Sequence, residues 1–277
     1  MKTLLIPIDL TATNDNAVAF AAEWCKKYEY TRIILLKTFY DVFDKVVMAA
    51  GYVSPDYMQD DRNAAMNKIE EMVLNLTADT GANVVVIVSE EPLLRAIMEA
   101  IDEEKPDMLL VGSDNEDHSS DSFIAGNVIH IAKISPVRVM IVPAGYRYKP
   151  VEIALLPTNF STLETLDKLN SLKTSPLWAG TKVQVLYVDD KERYLTPDEA
   201  FKNNEERLKE YLKHFEYEVQ YSNDSNIING ILSFVQTHAV QLIIAMPGKH
   251  SFLYALTHKS ISEAIYRNAK EPVLILK

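Results

Sequence analysis

The residues best suited to hold a ligand in this 277-residue chain are glycines and small polar residues that follow a buried apolar run. Gly112 and Ser113 come directly after Met108–Val111, and Gly126 and Asn127 precede a second apolar run. Glycine lets backbone N–H groups approach phosphate oxygens, and the start of a following helix attracts an anion. Open α/β sheets bind ligands where such loops leave the carboxyl ends of strands. The pattern therefore predicts a ligand loop of the phosphate-binding kind.

The charge of the same loop opposes a phosphate. Asp114, Glu116, Asp117 and Asp121 lie between the two glycines, without any intervening lysine or arginine. Each carboxylate a few Å from a triphosphate costs on the order of 1 kcal/mol even in water-like surroundings. Two or three such costs lower the affinity roughly a hundredfold. A divalent cation would offset them, so ATP with Mg²⁺ stays open but is not favoured. These acids lack the spacing of a calcium loop, and we expect no metal site.

The composition excludes several classes of protein. A net charge of -11 argues against a nucleic-acid-binding protein, which presents a basic face, and against contact with an anionic membrane. The apolar run at the start of the chain is too short for a signal peptide or a membrane span, so we expect a cytoplasmic protein. The single cysteine, Cys25, rules out a disulfide framework. No motif of a nucleophilic or metal-dependent enzyme occurs, and we expect no catalytic residues.

Short apolar runs alternate with amphipathic stretches along the whole chain. Apolar runs with little internal alternation are typical of strands that are covered on both faces. Their alternation with helical stretches, one of them near Phe123–Lys133, predicts an α/β fold with a parallel sheet and right-handed crossovers. The predicted strands are Leu4–Ile8, Ile33–Phe39, Val84–Val88, Met108–Val111 and Val137–Val142, and in the second half Val183–Val188, Glu218–Tyr221, Leu242–Met246 and Val273–Leu276.

The same order of elements occurs twice. Pro143–Pro150, with two prolines and a glycine, interrupts the pattern and predicts a linker. After this interruption, Leu5–Thr11 is echoed by Leu155–Ser161, which matches a proline, an acid or its amide, and a hydroxyl residue in order. A proline also precedes the last strand of each half. We therefore predict a tandem duplication of one domain of ordinary size. The predicted domains are residues 1–144 and 151–277, joined by a linker at 145–150.

These features resemble the universal stress protein family. A unit of that family opens with a strand ending in Asp-x-Ser/Thr and closes with a glycine-containing loop, a helix, Pro-Val and a strand. Ile8–Thr11 matches the opening, and Gly112, Gly126 and Pro136 with Val137 match the closing. The resemblance implies two flavodoxin-like or Rossmann-like doubly wound units, each a five-stranded parallel sheet of order 3-2-1-4-5 with flanking helices. It also implies that the units pair through their last strands, as a pseudo-dimer within one chain, while a homodimer of chains stays open.

The resemblance further implies a nucleotide site in the first half, because some family members bind ATP. Asp9 would contact adenine or ribose, Thr38 falls where the second strand meets adenine, and the glycines with Asn127 would meet phosphates. The sequence departs from the family pattern, since Asn115 stands at the second glycine position and the spacing to Gly126 is one residue longer. The candidate residues are Asp9, Thr11, Thr38, Gly112, Ser113, Gly126 and Asn127.

The second half departs further from the family pattern, and its loop is basic. Lys249, His258 and Ser260 form a candidate anion site there, with Ser260 at the start of a predicted helix. For the whole chain we expect a non-catalytic stress-response or signalling module that acts through an unidentified protein partner or a small ligand. Two alternatives stay open: an ATP-binding switch or slow ATPase in the first domain, and an anion or metabolite sensor in the second.

Overall fold

The computed structural model describes residues 1–40, 55–114, 122–158, 169, 172, 180–246 and 269–277. Contacts between residues divide the chain into two compact units. The first unit holds the described residues up to Val137, and the second holds those from Arg138 to Lys277. The domain borders predicted around residues 144 and 151 stay a prediction. Within the described ranges, no helix has both the length and the apolar character needed to cross a bilayer.

The first unit is a parallel sheet whose strands are connected by helices. Its strands stand in the order third, second, first, fourth along the chain, and all neighbouring pairs are parallel. The first, second and fourth strands are buried almost throughout, as their continuous apolar sequences predict. The elements are β1 (Lys2–Ile8), α1 (Ala12–Tyr28), β2 (Tyr30–Thr38), α2 (Pro55–Thr80), β3 (Asn83–Ser89), α3 (Leu93–Glu104), β4 (Met108–Ser113) and α4 (Phe123–Ile134).

The second unit repeats this plan. The elements are β5 (Arg138–Pro143), β6 (Ile153–Thr158), β7 (Lys182–Val188), a 3₁₀ helix (Arg193–Leu195), α5 (Glu199–Leu212), β8 (Glu216–Ser222), α6 (Ile227–Thr237), β9 (Leu242–Ala245) and β10 (Val273–Ile275). The strand order is β5-β10-β9-β6-β7-β8. From β8 to β10 all neighbours are parallel, and this series reads 3-2-1-4-5 within the second half. The predicted α/β class and strand order are therefore confirmed.

Strand β5 is the last strand of the first half in sequence, yet its contacts group it with the second unit. It runs antiparallel to β10, with Val139 opposite Ile275 and Ile141 opposite Val273. Both strands are apolar and buried, so each needs a neighbour that satisfies its backbone groups. Within the second unit, β5 and β10 thus satisfy each other's backbone groups.

Equivalent hydrogen bonds occur at the start of the first strand in both units. In the first unit the Asp107 carboxylate accepts the Thr3 N–H at 2.7 Å, and the Asp107 N–H donates to the Thr3 carbonyl at 2.9 Å. In the second unit Gln241 makes the same pair of contacts with Ile153, at 2.7 and 3.0 Å. A polar side chain before the fourth strand therefore holds the start of the first strand in both halves.

Candidate functional site

The turn between β1 and α1 is organised by the carboxylate of Asp9. One oxygen accepts the Thr11 hydroxyl at 2.7 Å and the Thr11 N–H at 3.3 Å. The other oxygen accepts the Ser122 hydroxyl at 2.6 Å and the Ile124 N–H at 3.3 Å. Leu10 lies between, with a φ of 64° that is unusual for leucine and needs such support. Asp9 thus ties the end of β1 to the start of α4.

The start of α4 already carries a negative charge from the chain itself. Ser122 is the N-cap, and its oxygen accepts the Ala125 N–H at 3.0 Å while its hydroxyl donates to Asp9. Free N–H groups at a helix start favour an anion. In many phosphate sites that anion is the ligand, whereas here the carboxylate of Asp9 takes the Ile124 N–H. The chain therefore supplies its own anion at this position.

A second carboxylate lies at the neighbouring helix start. The Thr13 hydroxyl, in the first turn of α1, donates to the Asp114 carboxylate at 2.6 Å. Asp114 follows β4 directly, and both residues are partly exposed. A phosphate at this edge of the sheet would meet Asp114 as well as Asp9. At about 4 Å each carboxylate costs about 1 kcal/mol in water and several-fold more near a protein surface.

Gly112 is buried in β4, where α1 crosses the strand closely. A Cβ atom at this position would lie 2.9 Å from the Thr13 carbonyl oxygen and 3.2 Å from the Ala17 Cβ. Real Cβ atoms do not approach backbone oxygens this closely, so packing alone requires glycine here. The next residue, Ser113, is also buried.

Gly126 and Asn127 lie inside α4, one turn beyond its start. The Gly126 N–H donates to the Ser122 carbonyl at 3.2 Å, and the Asn127 side-chain amide donates to the Phe123 carbonyl at 2.9 Å. Gly126 is exposed, and a Cβ added to it would meet no atom within 4 Å. The donors that the sequence assigns to a phosphate are therefore used within the helix.

The end of β2 lies at the same edge of the sheet, because β2 neighbours β1. Thr38 is buried there, and Phe39 follows it. The Lys37 ammonium lies 5.4 Å and the Arg62 guanidinium 4.5 Å from the centre of the Phe39 ring. Arg62 also pairs with Glu90 at 2.6 Å. This edge therefore combines an aromatic ring with two cations, and neither Phe39 nor these cations were among the predicted site residues.

The structure brings several predicted residues to one edge and adds others that the sequence did not reveal. Asp9, Thr11, Thr38 and Ser113 lie at or just beyond the carboxyl ends of three neighbouring strands. Besides Phe39 and its two cations, Ser122, the partner of Asp9, was missing from the predicted site residues. A serine before an apolar helical run is a recognisable N-cap signal. Its hydrogen bond to a residue 113 positions away carries no signal in the sequence.

In the second unit an ion pair stands where the first unit has Phe39. The Phe39 N–H donates to the Ser89 carbonyl at 3.0 Å, and the Asp189 N–H donates equivalently to the Ser222 carbonyl at 2.8 Å. The Arg193 guanidinium donates two hydrogen bonds to the Asp189 carboxylate, at 2.8 and 3.0 Å. These bonds hold the pKa of Asp189 below its ordinary value. The candidate residues of the second domain, Lys249, His258 and Ser260, lie outside the described residues.

Other reactive groups give no further candidate in the described part of the chain. Burial raises the pKa of the Cys25 thiol to about 12, so it is not a thiolate at neutral pH. Among the described residues, no three His, Cys, Asp or Glu side chains gather closely enough to hold a metal ion.

The sequence of the first half matches a known family. The model of the universal stress protein family matches residues 1–143, which is just over half of the chain. None of the proteins with curated functions matches this sequence.

The fold is similar to that of solved structures at low sequence identity. A universal stress protein from Archaeoglobus fulgidus shares 15% identity at a TM-score of 0.68, over 99% of this chain and 98% of the other. A universal stress protein from Pseudomonas aeruginosa shares 12% identity at a TM-score of 0.56, over 100% and 93%. The cytoplasmic domain of a prokaryotic cation chloride cotransporter shares 11% at a TM-score of 0.54, over 99% and 94%. At these identities the likeness concerns the fold alone.

Proposed function

Because this chain belongs to the universal stress protein family, we propose that it is a non-catalytic stress-response module that acts through contacts with a protein or a small ligand. One observation supports this proposal above the others. The start of α4, where a nucleotide phosphate would bind, is occupied by the carboxylate of Asp9 through Ser122 and Ile124.

The free-energy cost of placing a phosphate there is considerable. A phosphate that takes the Ile124 N–H must displace Asp9 from it and also approach Asp114, which Thr13 holds nearby. Two carboxylates at about 4 Å cost about 2 kcal/mol even in water. This corresponds to roughly a thirtyfold loss of affinity. Neither glycine offers a compensating hydrogen bond to a phosphate. Gly112 is required by the packing of α1 on β4, and the Gly126 N–H donates to a carbonyl within its own helix.

Calorimetric titration with ATP and Mg²⁺ tests this proposal. The wild-type protein is expected to give no saturable heat at millimolar ATP and no ATP hydrolysis above background. The variant Asp9→Ala is expected to bind ATP at least tenfold more tightly than the wild type, because it frees the Ser122 hydroxyl and the Ile124 N–H. The matched control is Asp107→Asn, which removes one carboxylate at the opposite, amino end of the same strands and should leave ATP affinity unchanged. Circular dichroism of each variant establishes that it is folded.

A second candidate function is an ATP-binding switch or slow ATPase in the first unit. It is favoured by the strand order, because β1 and β4 neighbour each other where the order reverses, and open sheets bind ligands at such a point. For this function the Asp9 side chain would leave Ser122 and bind adenine or ribose, and Mg²⁺ would neutralise the nearby carboxylates. Saturable ATP binding at tens of micromolar or below that Gly126→Asp abolishes would overturn the non-nucleotide function.

The partners of the module are part of the same proposal. The antiparallel pairing of β5 with β10 supports a pseudo-dimer formed within one chain. Sedimentation analysis at micromolar concentration distinguishes a single chain from a homodimer of chains. An anion or metabolite sensor around Lys249, His258 and Ser260 stays a prediction, tested by a thermal-shift scan of anions on the wild type and Lys249→Ala.

A further inference from the structure

We propose that the outer edge of strand β8 binds an extended segment of a partner protein in which basic and apolar residues alternate. This inference rests on the proposed function and names the kind of partner that the module recognises. The evidence is the open hydrogen-bonding edge of β8, the acidic character of one of its faces and the aromatic character of the other.

Strand β8 ends the strand order of the second unit among the described residues. All seven of its residues are at least partly exposed, whereas all four residues of β9 are buried. The Ser222 carbonyl accepts the Asp189 N–H of the chain leaving β7. Because backbone groups of successive strand residues point to alternate sides, Tyr217, Val219 and Tyr221 direct their N–H and C=O groups away from β7. This edge therefore offers the hydrogen bonds that an added strand uses.

One face of the β8 edge is acidic. Glu216 and Glu218 lie on it, and Lys182 of the neighbouring strand bonds to Glu218 at 2.6 Å. Hydrogen bonds from Lys182 and Gln184 hold the pKa of Glu218 below its ordinary value, so it is charged at neutral pH. With one lysine against two glutamates, this face retains a negative charge that a basic side chain complements.

The opposite face of the β8 edge is aromatic. Tyr221 stacks on Tyr194 at 4.8 Å between ring centres, and it meets Tyr187 edge-on at 6.4 Å. Tyr221 is 38% exposed, and Leu195, which follows Tyr194 in the sequence, is 66% exposed. Apolar side chains of an added strand would cover these groups and remove their apolar surface from water, which is favourable.

The charges favour a basic partner over a second copy of this chain. Antiparallel pairing of two β8 edges near their centres would place Glu218 of one copy opposite or diagonal to Glu216 or Glu218 of the other, and like charges at such positions repel each other. The outer strand of the first unit, β3, has no charged residue in its sequence Asn83–Ser89. A basic segment therefore distinguishes the β8 edge from the β3 edge.

Fluorescence polarisation with a labelled, alternating arginine–valine hexapeptide tests the inference on the full chain. We expect saturable binding that weakens as salt is raised, since the charge term is screened. We expect Val219→Pro to weaken binding at least tenfold, because proline removes an N–H at the open edge without removing a bond to β7. The matched control is Val86→Pro, which changes the equivalent open position of β3 and should leave binding unchanged.

Four results would overturn the inference. The first two are no saturable binding up to millimolar peptide and equal binding of a glutamate–valine peptide. The others are equal weakening of binding by both proline variants and conversion of a dimer to a monomer by Val219→Pro, which would assign the edge to a second copy. The ATP titration on the same preparation separates this inference from the proposed function. ATP binding alone would overturn the function and leave the peptide result standing, whereas failure of the peptide alone leaves the function standing.

Discussion

Two glycines that look alike in the sequence have different roles in the structure. Gly112 lies where α1 touches β4, and a side chain there would collide with the Thr13 carbonyl. Gly126 lies on the open surface of α4, with space around it. A phosphate site would require both residues to be glycine for the same reason, namely backbone access to the ligand. The structure gives a packing reason for Gly112 and none for Gly126.

Alanine at the two positions should therefore have opposite effects on stability. We expect Gly112→Ala to lower the free energy of unfolding by about 1–3 kcal/mol through overpacking. We expect Gly126→Ala to raise it by about 0.5–1 kcal/mol, because alanine is favoured in a helix. Urea unfolding of both variants measures the difference. A destabilised Gly126→Ala protein would contradict the structure, and so would an unchanged Gly112→Ala protein.

At the scale of elements, carboxylates hold the connections after the strands in both units. In the first unit Asp9 connects the β1–α1 turn to the start of α4. In the second unit Asp189 holds the turn after β7 by accepting the Arg193 N–H at 2.9 Å and two hydrogen bonds from its guanidinium. The family resemblance implies a ligand contact for Asp9, and no role was predicted for Asp189. The structure assigns both a structural role at the end of a strand.

Removing the Asp189 carboxylate should make the protein less sensitive to acid. The pKa of Asp189 is lowered from 3.8 chiefly by its hydrogen bond with Arg193, so its contribution is present above that pH and is lost as pH falls below it. We expect Asp189→Asn to lower the free energy of unfolding by about 1–2 kcal/mol at pH 7 and by less at pH 3. The matched control is the exposed neighbour Asp190→Asn. An equal loss of stability at both pH values in Asp189→Asn would contradict the ion pair.

At the scale of the whole molecule, both units contain weak acids whose pKa is raised by full or partial burial. Burial raises the pKa of Cys25 in the first unit to about 12. In the second unit it raises the pKa of Tyr146 to about 12, with Glu271 adding to the effect, and that of Tyr221 to about 12. In the unfolded chain these groups lose their protons at lower pH. Both units are therefore expected to lose stability in alkali.

The expected stability profile can be tested at Cys25. The pKa of the Cys25 thiol rises on folding from 9.0 to about 12. Its contribution to the free energy of unfolding is therefore complete below pH 9 and declines as pH rises from 9 to 12. The free energy of unfolding is expected to fall by at most about 1.4 kcal/mol per pH unit from this group. Urea unfolding between pH 8 and 11 should show a shallower decline for Cys25→Ala than for the wild type. Equal slopes, or fast reaction of the native thiol with a thiol reagent at pH 8, would contradict the burial.

Much of the fold was predictable because its signals are local. The apolar runs around Leu4–Ile8 and Met108–Val111 and the alternation of strands with helices determined the α/β class. The repeated Pro-containing opening predicted a tandem plan. The helix predicted near Phe123–Lys133 is observed at Phe123–Ile134. The grouping of β5 with the second unit was not predictable, because a strand's neighbours depend on the rest of the chain rather than on its own sequence.

The sequence by itself determined where strands and helices lie and which family the chain resembles, because hydrophobic periodicity and turn residues act over a few positions. Only the tertiary structure decided which groups meet at the start of α4. Strand order sets β1 beside β4, and this brings Asp9 to Ser122 across 113 positions of sequence. A carboxylate placed at a helix start by this order binds the N–H group that a phosphate would need, and no local pattern contains that contact.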